Sequence, residues 1–99
     1  MAQSVYKLFK MSYTPAWYAL SPEEQHDFSA KIEASRKAVG AEVLAMVASL
    51  DEKWSGWGVE KYPSLEAVAQ HGMTLYMLKW PIYATSETTL GVEIPPSLM

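Results

Sequence analysis

The 99-residue sequence contains no cysteine. That excludes disulfides, thiolate nucleophiles and Cys-ligated metals, and it suits a reducing compartment. Asparagine is missing too, and histidine is scarce, with only His26 and His71. Two isolated histidines without ligand spacing do not make a metal site. No apolar run approaches the roughly 18 residues that span a bilayer. Lys7 and Lys10 interrupt the first apolar stretch, so the start of the chain lacks the unbroken core of a secretion signal. The expected location is the cytoplasm, away from the membrane. Charge is also thinly spread. Eight basic and eleven acidic residues give a net −3, without the basic stripe of a nucleic-acid binder or the like-charge run of a tail. With no linker, repeat or low-complexity tract, residues 1–99 are expected to form one domain.

Apolar and aromatic residues are abundant. They make up 49% and 12% of the chain, with four Trp and six Tyr. A domain this short buries only about two-thirds of its unfolded surface. The apolar excess must line a pocket, cover a partner or stay exposed, and large exposed patches are uncommon on monomers. Composition therefore favours self-association.

Residues 5–12 (VYKLFKMS) alternate and carry β-branched and aromatic side chains, which predicts a first strand. Ser21-Pro22-Glu23-Glu24 is the clearest local signal. Ser21 can cap the free N–H groups, Glu24 can reach back to the Ser21 amide, and Pro22 sits where a missing N–H costs nothing. Phe28, Ile32, Ser35 and Val39 share one face at helical spacing, and Gly40 supplies a stop, so a helix is expected over 22–39. Residues 41–50 have helical composition but lie between that stop and a dense turn signal, which favours a second strand. Residues 57–62 (WGVEKY) read as a third, paired with the second in a hairpin. A second helix begins at Pro63-Ser64 and ends near Leu78, with Leu65, Val68, Ala69, Gly72, Leu75 and Tyr76 as its buried stripe. Gly72 in that stripe costs about 1 kcal/mol of helix propensity, so a close backbone approach is expected there. Residues 82–94 hold a fourth strand, best defined over 88–94, and Pro95-Pro96 ends it.

Two β-α-β halves around a central hairpin give a ferredoxin-like α+β fold, β-α-β-β-α-β, with a four-stranded antiparallel sheet and both helices on one face. The other face is left open. Covering it with a second copy relieves an unfavourable exposure of roughly 25 cal/mol per Å², and two-fold pairing is the commonest solution.

This pattern resembles the dimeric α+β barrel superfamily, in which two ferredoxin-like sheets face each other. The segment Thr14-Pro15-Ala16-Trp17-Tyr18-Ala19-Leu20-Ser21-Pro22-Glu23-Glu24 is most similar to the entry of the first helix in small, uncharacterised darcynin-like members. Lys79-Trp80-Pro81-Ile82-Tyr83 is similar to their aromatic-rich exit from the second helix. The superfamily includes cofactor-independent monooxygenases, haem-degrading monooxygenases, isomerases, cyclases and plain ligand binders, so the resemblance implies a homodimer and a small-molecule cavity more than a reaction.

His71 lies beside the expected stripe of the second helix. It is either a helix histidine at the solvent edge, or a general base or axial haem ligand. The resemblance to haem-degrading members would pair it with Trp57, although the asparagine those enzymes also use has no counterpart here. His26 is expected on the outer face of the first helix. If Phe9 and Met11 face the barrel interior, the period of two also turns Lys7 inward. Glu60 with Tyr62, and Tyr83 with Thr85 and Glu87, could line the same cavity. A carboxylate among apolar groups becomes a usable acid or base near neutral pH, while a place on the sheet rim is the alternative for Glu60 and Glu87. Tyr13, Trp17, Trp57, Tyr76 and Trp80 complete the candidate ligand contacts, with core or dimer interface as the alternative for each. Ser21 is accounted for as a cap and not as a nucleophile.

The expected function is binding of a hydrophobic or aromatic small molecule by a homodimer, with conversion by a cofactor-independent monooxygenase or isomerase type of chemistry. His71 or Glu60 would act as base and Tyr83 would donate a hydrogen bond. No metal is expected. A non-catalytic binding protein, or a haem-binding protein acting through His71, is the alternative.

Overall fold

The strand ladder follows from alternation along β1 (Val5–Tyr13), the central element to which both neighbouring strands pair. The structure is a computed structural model and describes residues 3–98. After β1 come a single helical turn, α1 (Pro15–Tyr18), then α2 (Pro22–Ala38), β2 (Glu42–Ala48), β3 (Gly56–Tyr62), α3 (Leu65–Met77), a second short turn, α4 (Trp80–Tyr83), and β4 (Ala84–Val92). A 3-10 turn over Pro96–Leu98 follows.

The capping box at α2 forms as its residues dictate. Ser21 Oγ accepts from the Glu24 amide at 3.1 Å, and Glu24 Oε1 accepts from the Ser21 amide at 2.9 Å. Arg36 and Lys37 sit in the last turn, where cations complement the helix dipole. Val39 is the cap, and Gly40 takes φ +76°, the left-handed conformation that lets the chain leave the helix. The expected stripe holds, with Ile32 and Ser35 buried and Phe28 and Val39 half-buried. His26 is exposed, as its place on the outer face requires.

The sheet is antiparallel throughout, in the order β2-β3-β1-β4. Register places Lys7 opposite Glu60, Phe9 opposite Gly58 and Met11 opposite Gly56. Alternation then puts these residues and Tyr62 on one face. The helices cover that face, because Arg36 of α2 pairs with Glu60, and the His71 ring of α3 lies 6.1 Å from that of Tyr62. The opposite face, carrying Leu8, Trp57 and Val59, has no helix on it.

β4 (Ala84–Val92) lies within the expected 82–94 and extends ahead of its best-defined part, while residues 80–83 form a helical turn. Lys79 adopts φ 63°, which breaks the chain away from α3, and Pro81 near the start of the new turn suits its fixed φ. The buried face of α3 is also rotated from the expected one. Ala67 and His71 are buried, while Leu65 and Tyr76 are 62% and 71% exposed. Ser64 caps the helix by accepting from the Ala67 amide at 3.1 Å. The inward side of α3 meets the polar Glu60 and Tyr62, so a histidine, not an apolar stripe, faces the sheet. The expected close approach at Gly72 is likewise absent, since a Cβ there would meet nothing within 4 Å.

Candidate functional site between helices and sheet

Gly56 and Gly58 of β3 stand opposite Met11 and Phe9, and a Cβ on Gly58 would lie 2.8 Å from the Phe9 ring packed against it. A cavity of about 740 Å³ lies between the sheet and the helices, with Gly56 in its wall. β1 contributes Lys7, Phe9, Met11 and Tyr13 to its wall. α2 contributes Ile32 and Arg36, α3 contributes His71 and Leu75, and Trp80 and Pro81 belong to α4. The cavity therefore lies behind the sheet, on the helix side. This corrects the placement of Phe9 and Met11 toward a barrel interior between two sheets. Their alternation is as read from the sequence, but the face they share is the one the helices cover.

One end is walled by stacked aromatics. Tyr13 lies flat on Trp17 at 4.8 Å, Trp80 meets Trp17 edge-on at 5.7 Å, and Phe28 touches Tyr83 at 5.0 Å. Trp17, only 7% exposed, stands behind Tyr13 as core and does not reach the cavity. Tyr83 is also outside it. Thr85 and Glu87 pair with Ser12 and Lys10 on the opposite face, so neither joins the site. Trp57 and Tyr76 border the cavity, Trp57 from a register position whose side chain belongs to the open face.

At the inner wall lies a cluster of charge. Glu60 is 1% exposed. Its Oε2 accepts from Arg36 Nε, its Oε1 accepts from the Tyr62 hydroxyl at 2.7 Å, and Lys7 Nζ stands 3.8 Å from Oε1. A buried carboxylate held by two cations and a hydroxyl is committed to those partners. Glu60 is thus brought to the cavity wall but is not free to serve as a base. Burial pulls the Lys7 ammonium below the usual lysine range, against the opposing pull of Glu60. The Tyr62 hydroxyl is pushed up, first by burial and then by its bond to Glu60.

His71 is 1% exposed, which removes the solvent-edge reading. Its Nδ1 lies 2.7 Å from Ser35 Oγ on α2. Burial, together with nearby Lys7, depresses the imidazole to about 4, so it is neutral at physiological pH. When Nδ1–H donates to Ser35 Oγ, Nε2 is left as an acceptor. Burial also raises Tyr13.

The sequence reading passed over Ser35 and Arg36 as functional groups. Ser35 was visible as a polar residue on an otherwise apolar stripe, a signal of a buried partner. Nothing in local spacing connects Arg36 with Glu60, on separate elements. Among the described residues, no group of three His, Asp or Glu side chains could hold a metal ion, and no helix is long and apolar enough to cross a membrane.

The sequence matches no family model and no curated protein. The fold, in contrast, recurs among solved structures. A protein of unknown function from Rhodopseudomonas palustris aligns with a TM-score of 0.65 at 15% identity, over 97% of this chain and 86% of that one. The cofactor-independent oxygenase SnoaB from Streptomyces nogalater aligns at 0.58 and 16% identity, over 95% and 96%. A dimeric ferredoxin-like protein of unknown function from Thermobifida fusca aligns at 0.58 and 9%, over 94% and 93%. At such identities the likeness is one of fold. The strand order and these neighbours together give the chain a ferredoxin-like α+β fold.

Proposed function

We propose that this chain forms a homodimer whose subunits each bind a hydrophobic or aromatic small molecule in the cavity between helices and sheet, and convert it without a bound cofactor. The observation that carries the reading is His71, buried, neutral and oriented by Ser35 at the wall of the cavity. Nε2 would take a proton from an acidic C–H or O–H of the ligand, leaving the electron pair on the ligand as an enolate or phenolate. A base depressed to about 4 is a weak one, so the reaction depends on stabilising the anion, and the Lys7 ammonium is placed to do so. Return of the proton to a different carbon is an isomerisation. Combination of the carbanion with dissolved dioxygen would form a C–O bond, and return of the proton from His71 to the distal oxygen would give a hydroperoxide, an oxygenation of the class named for SnoaB. In this reading Glu60 holds Lys7 and Arg36 in place and Tyr83 belongs to the aromatic wall, so neither is assigned the role of base or donor.

The open sheet face supports the homodimer, as does the dimeric Thermobifida fusca neighbour. A cytoplasmic setting, in keeping with the absence of cysteine, belongs to the same reading.

The test is proton exchange in heavy water with 2-tetralone, a ketone with an acidic benzylic C–H. The wild type should accelerate deuterium uptake above buffer, and His71→Ala should lower that rate by about 10²-fold or more while remaining dimeric by native mass spectrometry. Undiminished exchange in the variant would sink the assignment. Haem uptake giving a Soret band that His71→Ala abolishes would overturn the cofactor-free part. The weak basicity of His71 favours one other reading, a binding protein without catalysis. A co-purified compound that survives long incubation unchanged would establish it.

A further inference from the structure

The charges along the cavity do not balance, and the imbalance falls on one residue. Lys7 and Arg36 are cations, Glu60 is the carboxylate between them, and His71 is neutral. Arg36 is well supplied. Its Nε donates to Glu60 Oε2, and its Nη1 donates to Glu33 Oε2 at 3.1 Å, toward the surface. The second Glu60 oxygen is taken by the Tyr62 hydroxyl. Lys7 has only a carboxylate oxygen at 3.8 Å, beyond hydrogen-bond reach, and a Phe9 ring centroid at 6.0 Å. Among the described residues its ammonium makes no hydrogen bond, although its side chain is only 13% exposed.

We propose that Lys7 is the specificity-determining residue of the cavity, and that it selects a ligand bearing a single negative charge on an aromatic body. The charge would be a carboxylate or an ionised phenol or enol. This narrows the ligand-binding reading above and rests on it. A cation drawn out of water is unfavourable unless it is paired. Burial already pulls Lys7 below the usual lysine range, so its charge is held at a disadvantage in the cavity wall. An anionic oxygen beside Nζ supplies the acceptor that Glu60, at 3.8 Å, does not, as a charge-assisted hydrogen bond. A neutral ligand supplies no anionic oxygen. A dianion would find only one cation without a hydrogen bond. The remaining wall, with Phe9, Met11, Ile32 and Leu75, suits an apolar body.

The test compares 1-naphthoate with its neutral counterpart 1-naphthamide by calorimetric titration at pH 7. The wild type should bind naphthoate at least tenfold more tightly. Lys7→Met should erase that preference, and Lys7→Arg should retain it. Equal affinities in the wild type, or a preference that survives in Lys7→Met, would overturn the role of Lys7 and leave the cavity reading standing. Loss of both compounds in Lys7→Met and Lys7→Arg alike would make Lys7 a structural member of the ion cluster and overturn the proposal. If the wild type binds neither compound, the ligand-binding reading fails, and the proposal fails with it.

Discussion

His71 and Glu60 show how a residue's role depends on what surrounds it. Both sit 1% exposed at the wall of the same cavity. Glu60 is bound by Arg36, Tyr62 and Lys7, and its chemistry is consumed in holding them. His71 has one hydroxyl partner and an unspent nitrogen. Its burial has a consequence for stability. The folded imidazole is depressed to about 4, whereas an unfolded histidine titrates near 6.5. As pH falls through 6.5 the unfolded state takes up a proton that the folded state refuses. Stability contributed by the neutral form is therefore complete above about pH 6.5 and lost progressively down to about pH 4, for a total of about 3 kcal/mol. Urea unfolding at pH 7.5 and 4.5 measures it. His71→Gln should lose clearly less stability over that interval than the wild type, and identical losses would mean that His71 is not the group that titrates.

Between elements, Gly58 of β3 and Gly72 of α3 act in opposite ways. Gly58 on β3 allows the Phe9 ring and the backbone of β2 to approach. A Cβ there would lie 2.8 Å from Phe9 Cζ and 2.9 Å from the Ala45 carbonyl oxygen. The ring can swing, but the carbonyl belongs to the ladder and cannot. Gly58→Ala should cost about 1–3 kcal/mol, as overpacking does, and should weaken naphthamide binding as Phe9 is pushed into the cavity. Gly72 on α3 faces open space, so Gly72→Ala should gain up to about 1 kcal/mol from helix propensity alone. Denaturant midpoints of the two variants decide the matter, and shifts of the same sign would contradict this account of the β3 wall.

For the whole molecule, the decisive feature is that one face of the sheet is covered by helices and the other is not. Leu8 on the open face is 39% exposed, and Trp57 is 37% exposed. A charge placed there should oppose pairing with a second copy without touching the cavity, which lies behind the sheet. Leu8→Glu is expected to turn the proposed homodimer into a monomer by native mass spectrometry, with naphthamide affinity kept within about fivefold, well under the effect of losing a pocket wall. A dimer that persists would place the interface elsewhere. A monomer that no longer binds would mean the partner completes the cavity.

The sequence by itself determined what depends on near neighbours. The Ser21–Glu24 box and the Gly40 stop bound α2 because capping and left-handed φ are properties of a few consecutive residues. Alternation set Lys7, Phe9 and Met11 on one face of β1, and Glu60 and Tyr62 together on one face of β3, because successive strand side chains point to opposite sides. The order of elements then implied the ferredoxin-like sheet. Tertiary structure alone decided which of the two sheet faces receives the helices, how α3 is rolled, and which charges meet. Strand register aligned Lys7 with Glu60, and packing of α2 brought Arg36 to the same carboxylate. The roll of α3 turned His71 inward and left Leu65 and Tyr76 outside. These outcomes are sums over contacts between residues far apart in the chain, and no local spacing encodes them.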